Sequence, residues 1–203
     1  MAQVINTNVA ALFAGAALNK SAIALQTAQQ RLSSGVRINS AKDDASGLVN
    51  ATTTDSQIRA ANMSVRTEND VISTAQTQDG YLAVVTENLL RMADIESTSV
   101  EYSSLQTENT NILKSVTSAP AATLSAVSSA RATLGANMAV AASKVATQQV
   151  LSVNLSAKYS RIMDTDYAAE STAMARANIL QQAGTAALAQ ANQTPNTVLT
   201  LLR

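Results

Sequence analysis

The sequence predicts an all-α chain, a long antiparallel coiled-coil-like helical rod whose apolar N- and C-terminal helices pair at one end. Three observations lead there. Alanine, the best helix former, supplies 39 of the 203 residues, and only Pro120 and Pro195 interrupt. Aromatic residues make up 2% of a chain that is 46% hydrophobic, so the apolar mass lies in small side chains suited to close helix pairing, not in the rings that fill compact globules. Apolar residues also recur at three- and four-residue spacings over long stretches, the seam of a coiled coil.

The first helix carries Val4, Ala11, Leu18, Leu25 and Leu32 at intervals of seven, with Leu12 and Ile23 alongside. Ser33 to Ser40 has Gly35, several short polar residues and no helical period, and reads as a connector. Asp43 or Asp44 then caps the next helix. That helix runs from about Asp44 to Ser97, with Ile58, Val65 and Ile72 on one heptad position and Ala75, Leu82 and Leu89 on its neighbour. A reversal over Ser97–Ser104 leads to a weaker helix of three turns bearing Leu105, Ile112, Leu113 and Val116. Pro120 marks the turn between the two halves, in the stretch Ser115–Ala122. The pattern is strongest after it: Leu124, Val127, Arg131, Leu134, Met138, Ala141, Val145, Gln148, Ser152, Leu155, Tyr159 and Ile162 alternate spacings of three and four. Asp164, Thr165 and Asp166 break the series. A last helix follows with Ile179, Leu180, Ala183, Ala187, Leu188 and Ala191, ending in Val198, Leu199, Leu201 and Leu202. Pro195 either kinks it or opens its final turn.

Two domains are expected. Residues 1–43 and 164–203 form an inner domain of terminal helices with a connector over about 33–43; residues 44–163 form an outer helical domain with its turn near 117–122. Antiparallel pairing brings the chain ends together. Val4, Leu18, Leu25 and Leu32, with Ile179, Leu180, Leu188, Val198, Leu199 and Leu202, then offer more apolar surface than two helices cover. Each fully exposed Leu, Ile or Val forgoes about 1.5–3 kcal/mol. A second copy of the chain is the simplest cover, so these residues are the expected self-assembly surface.

Composition narrows function from the other side. With no Cys, His or Trp, there is no Ser-His-Asp triad, no thiol nucleophile and no zinc site of the usual kinds. Zero net charge and a pI near 6.2 argue against nucleic acid as a partner. No basic leader precedes the apolar N-terminal part, and no run of 18 apolar residues exists, so neither a signal peptide nor a membrane span is expected. No enzyme activity, cofactor or metal is expected: Asp43 and Asp44 read as helix-capping residues before cation ligands. Arg131 either fixes register within the seam or makes a surface ion pair. The Met residues read as gap-fillers, and the Ser/Thr-rich run Ser97–Ser118 as an unmodified loop before a carrier of O-linked sugar.

The termini carry a resemblance. Met1-Ala-Gln-Val-Ile-Asn-Thr-Asn8 and Arg31-Leu-Ser-Ser-Gly-Val-Arg-Ile-Asn-Ser-Ala-Lys-Asp-Asp-Ala45 resemble the N-terminal region of bacterial flagellin. Ser160-Arg-Ile-Met-Asp-Thr-Asp-Tyr-Ala168, Ile179-Leu-Gln-Gln-Ala-Gly-Thr185, Ala189-Gln-Ala-Asn-Gln193 and Leu201-Leu202-Arg203 resemble its C-terminal region. The resemblance implies a structural subunit that polymerises into the extracellular flagellar filament for motility; a minor filament subunit or hook–filament junction protein is the alternative. It also implies that the terminal helices line the filament channel and that Ser33, Gly35, Arg37, Asn39, Asp43 and Asp44 belong to the spoke between layers. The implied partners are further copies of the chain, the flagellar export apparatus and its chaperone, and the filament cap and hook-junction proteins. Export through that apparatus needs no cleaved signal. Only Ser97–Ala122 stands where flagellins commonly insert variable domains, which implies a thin, smooth filament. Asn88–Ile95 aligns with the stretch that a vertebrate innate immune receptor reads in many flagellins. Arg91 matches its first Arg, Asp94 replaces a Glu, Ile95 replaces a Leu and Ala93 stands for a second Arg, so recognition is expected to be weak.

Overall fold

A computed structural model describes residues 7–117 and 119–201, except for the side chains of 194–201. It contains α1 (Val9–Ser34), α2 (Ala45–Asp94), α3 (Val100–Lys114), α4 (Leu124–Met163) and α5 (Tyr167–Leu201). Among the described residues there is no strand, only an isolated bridge between Val36 and Asp164. The chain divides into two compact units, Met1–Thr53 with Lys158–Arg203, and Thr54–Ala157. The division falls inside α2 and α4, some way beyond the connector where the sequence places it.

In the first unit α1 packs on α5. The pair is antiparallel: Asn8 donates through its side-chain amide to the Ala191 carbonyl at 2.8 Å, Leu18 lies over Gly184, and Arg31 meets Glu170 at 3.5 Å. Asn8 also caps α1, accepting the Ala11 N–H at 3.0 Å. Gly35 ends it at φ 71°, a left-handed conformation that a glycine adopts without a Cβ penalty, and returns its N–H to the Arg31 carbonyl. Ser33 is therefore still helical, and the connector begins at Gly35 instead of Ser33. α5 passes through Pro195 and continues to Leu201 as one helix, so the proline does not open a separate final turn.

In the second unit α2 and α4 run antiparallel, with Asn62, Glu68 and Asp79 meeting Ser152, Lys144 and Arg131 in turn. The heptad reading of α4 holds residue by residue. Of its twelve positions Val127 and Ala141 are buried, nine are half-buried, and Leu124 alone is exposed. Arg131 keeps its place in this seam through a two-pronged contact with the Asp79 carboxylate, at 2.8 and 3.5 Å. Both side chains are about a third exposed, so the pair favours one register more than it adds stability.

The weak helix proves structural. α3 spans 15 residues, capped by Ser99, and sends Leu113, with Val116 from the turn after it, into a cluster with Leu82, Val85 and Val127. Leu82, Val85 and Val127 have no exposed surface. Three helices meet here and together enclose these side chains.

Leu82→Ala is therefore expected to destabilise the chain by about 2–5 kcal/mol, since it removes a fully buried side chain from this cluster. Leu90, on the same helix but half-exposed, should tolerate the same change with a far smaller loss. Circular-dichroism melting of the two variants checks the difference.

Candidate assembly surface and connector

Two chain segments cross between helices in the first unit, and they pair with each other. Arg37 N–H donates to the Met163 carbonyl at 2.6 Å, Thr165 N–H donates to the Gly35 carbonyl at 3.1 Å, and the Arg37 guanidinium reaches the Ile162 carbonyl at 2.9 Å. Asp166 caps α5, accepting N–H groups of Ala168 and Ala169. Beneath this short ladder Ile38, 1% exposed, packs with Ala51 and Met163, flanked by Leu48, Tyr159 and Ile162. The connector is thus anchored by an apolar plug that ties the first turns of α2 to the last turns of α4. That is why the first unit takes in Thr53 and Lys158.

The two neighbouring aspartates divide the capping work. Asp44 caps α2, its Oδ1 accepting the Gly47 N–H at 2.8 Å and the Ser46 hydroxyl at 2.9 Å. Asp43 instead closes the turn before it, accepting N–H groups of Asn39 and Ser40 at 3.2 and 3.0 Å and the Ser40 hydroxyl at 3.1 Å. Hydrogen bonds to the ionised form hold both carboxyls below their ordinary value, chiefly the Ser40 N–H for Asp43 and the Gly47 N–H for Asp44. Gly47 leaves room for this cap: a Cβ there would lie 2.7 Å from Ile38 Cδ1 and overlap the Asp44 carboxylate.

The α1·α5 seam uses one stripe of each helix. Ser21 and Ala28 on α1 and Ala177 on α5 are buried, while Leu18, Leu25, Leu32 and Leu188 are half-buried. The Leu18 side chain sits on Gly184, where an added Cβ would meet Leu18 Cδ1 at 3.2 Å. Leu18, Leu25, Leu32 and Leu188, expected as an assembly surface, thus contribute to the pair within one chain. Ile179 and Leu180 do not: they are 66% and 53% exposed. They share this with Val9, Leu12, Phe13 and Ile23, which point away from the seam, Phe13 being 79% exposed. Val4 and Leu202 lie outside the described residues, as do the side chains of Val198 and Leu199. The outward apolar residues make α1 apolar on more than one face. By length and composition alone α1 could therefore cross a membrane, a test that core helices of soluble proteins also pass.

At the end of α2, Arg91 is paired with Glu101 of α3, its Nε 2.7 Å from the carboxylate, while Asp94 is exposed and Ile95 half-buried. Both side chains of this pair are largely exposed, so it is a surface contact between α2 and α3. Sequence reasoning missed the Leu18–Gly184 approach, the connector ladder and the amide contact between Asn88 and Asn109 at 2.9 Å. A glycine within an apolar heptad was the one available signal for the first.

Comparison with known proteins accounts for this arrangement along nearly the whole chain. Residues 5–119 match the family described as the bacterial flagellin N-terminal helical region, and residues 113–202 match the bacterial flagellin C-terminal helical region. The two matches meet within α3 and the turn after it, with nothing inserted between them. The chain is 44% identical over 117 residues to polar flagellin F of Vibrio parahaemolyticus, covering 58% of this chain and 31% of that protein. It is equally similar to flagellins of Salmonella rubislaw and Salmonella typhimurium, over 58% of this chain and 24% of each. The chain therefore matches less than a third of the length of these relatives.

The caps make two expectations concrete. Gly47→Ala ordinarily favours a helix by about 1 kcal/mol, but here it should lower the melting temperature, because the new Cβ displaces the Asp44 carboxylate. The pH dependence follows from the lowered pKa of Asp43 and Asp44. Their contribution is complete above the unfolded value of 3.8 and disappears as pH falls through the lower folded value. The Gly47 amide resonance should accordingly titrate with a midpoint below 3.8; a midpoint at or above it contradicts the cap.

Proposed function

The chain belongs to the bacterial flagellin family, and on that premise we propose that it is a structural subunit that polymerises with further copies of itself into the extracellular filament of a bacterial flagellum. The observation that carries this is the outward face of the terminal pair. Leu12, Phe13 and Ile23 on α1 and Ile179 on α5 lie at least 65% exposed on helices whose opposite side is already used by the seam. Covering each such side chain contributes about 1.5–3 kcal/mol. A lone subunit leaves that gain unrealised, whereas a helical array realises it at every copy.

The finer parts of the reading follow the same family. The subunit leaves the cell through the flagellar export apparatus, escorted by its chaperone, and meets the filament cap and hook-junction proteins during assembly. Its role is mechanical and non-enzymatic. With α3 and a short turn in place of an inserted domain, the filament is thin and smooth. Ala93, standing where a second Arg is usual, makes strong recognition by the innate immune receptor unexpected.

Ile179→Asp tests the surface without touching the seam. Burying an unpaired carboxylate between copies costs several kcal/mol. A penalty of about 3 kcal/mol per subunit would raise the critical concentration roughly a hundredfold. Leu188→Asp is less informative, because Leu188 belongs to the intramolecular pair. Seeded assembly followed by sedimentation and electron microscopy measures the effect, with monomer helicity checked beforehand. The parent chain should form tubes and Ile179→Asp should stay in the supernatant. Parent chains that remain soluble dimers, or variant chains that pellet normally, would sink the proposal.

A further inference from the structure

Asn109 is 1% exposed on the side of α3 that faces α2. Its Oδ1 accepts from the Asn88 amide at 2.9 Å, and its Nδ2 donates to the Met92 sulfur at 3.5 Å. A thioether is a weak acceptor, and a buried amide N–H aimed at one is poorly compensated for lost water. Beside the sulfur lies a cavity of about 270 Å³, lined by Met92, Tyr102, Gln106 and Asn109 among others. A single oxygen atom needs a small part of that space, since a water molecule occupies about 30 Å³ in the liquid.

We infer that Met92 is a sulfoxidation site whose oxidised form is held in place by Asn109. The oxidant is a peroxide. The Met92 sulfur lone pair attacks one peroxide oxygen, forming the S–O bond as the O–O bond breaks. The departing hydroxide takes the proton left on the transferred oxygen and becomes water. Sulfur is oxidised by two electrons and hydrogen peroxide is reduced to water. The sulfoxide oxygen is a far stronger acceptor than the thioether and meets the Asn109 N–H that was poorly matched before. Oxidation at this site therefore tightens the contact of α3 with α2. Met163 makes the contrast: it is buried beside Ile38 and Ala51, where an added oxygen enters an apolar cluster.

The test uses the full chain with Met63, Met138, Met163 and Met174 replaced by Leu, so that Met92 and Met1 are the remaining thioethers. The protein is treated with hydrogen peroxide, oxidation is located by peptide mass mapping, and melting is followed by circular dichroism. Oxidation of Met92 should raise the melting temperature; with Asn109→Ala added, the same oxidation should lower it. No change or a fall with Asn109 present, or a folded chain that oxidises at Met1 and not at Met92, overturns the inference. If a variant fails to fold, the Asn109 side-chain amide proton in the unsubstituted chain decides. A downfield shift on Met92 oxidation supports the inference, and an unmoved resonance overturns it.

Discussion

Where helices stack only two or three deep, each has a neighbour on one side, and the positions it can cover fall on a single stripe at three- and four-residue spacing. The rest of this structure follows from that limit. On α4 the covered positions run from Val127 to Ile162 without a break. On α1 they run through Leu18, Leu25 and Leu32. Among the described residues the open faces of the terminal pair include the sides that bear Phe13, Ile23 and Ile179. With one Phe and four Tyr in the chain, there is little large side chain to build a wider core, and the fold does not attempt one.

The periodic part of this was legible in the sequence because a heptad reports a neighbour whatever the neighbour is. The α4 series, the turn around Pro120 and the break at Asp164–Asp166 all stand where spacing alone places them. Spacing was less informative for α5. There the eye goes to Ile179 and Leu180, yet the stripe that faces α1 runs through Met174, Ala177, Gln181, Gly184 and Leu188. Two of those five are too small and one too polar to register as seam residues. Large side chains advertise themselves, but it is the small ones that allow two backbones to approach.

What spacing cannot show at all are contacts between segments distant in the chain. The pairing of Val36 with Asp164 has no periodic signature, and neither does Ile38 as a plug under it. Nothing in the sequence alone chooses between Asp43 and Asp44 as the cap. In the folded chain the N–H groups of Asn39 and Ser40 engage Asp43, and Asp44 takes the helix N-terminus. The connector residues were recognised by resemblance, and the physical reasons for them come from the folded chain.

The two units distribute their large apolar residues in opposite ways, and this is where fold and proposed function meet. Thr54–Ala157 keeps Leu82, Val85, Leu113, Val116 and Val127 inside, enclosed by α2, α3 and α4. Among its described residues the α1·α5 pair buries only Ser21, Ala28 and Ala177, and turns Leu12, Phe13, Ile23 and Ile179 outward. Burial contributes about 25 cal/mol per Å² of apolar surface, so the interior of the terminal pair contributes little for its length. Much of the burial open to those helices lies on their outer side. On the filament reading that surface is covered only by another copy, so addition to the array supplies burial that the terminal pair of a lone chain lacks. The second unit needs no such help, because its large side chains already have three helices around them.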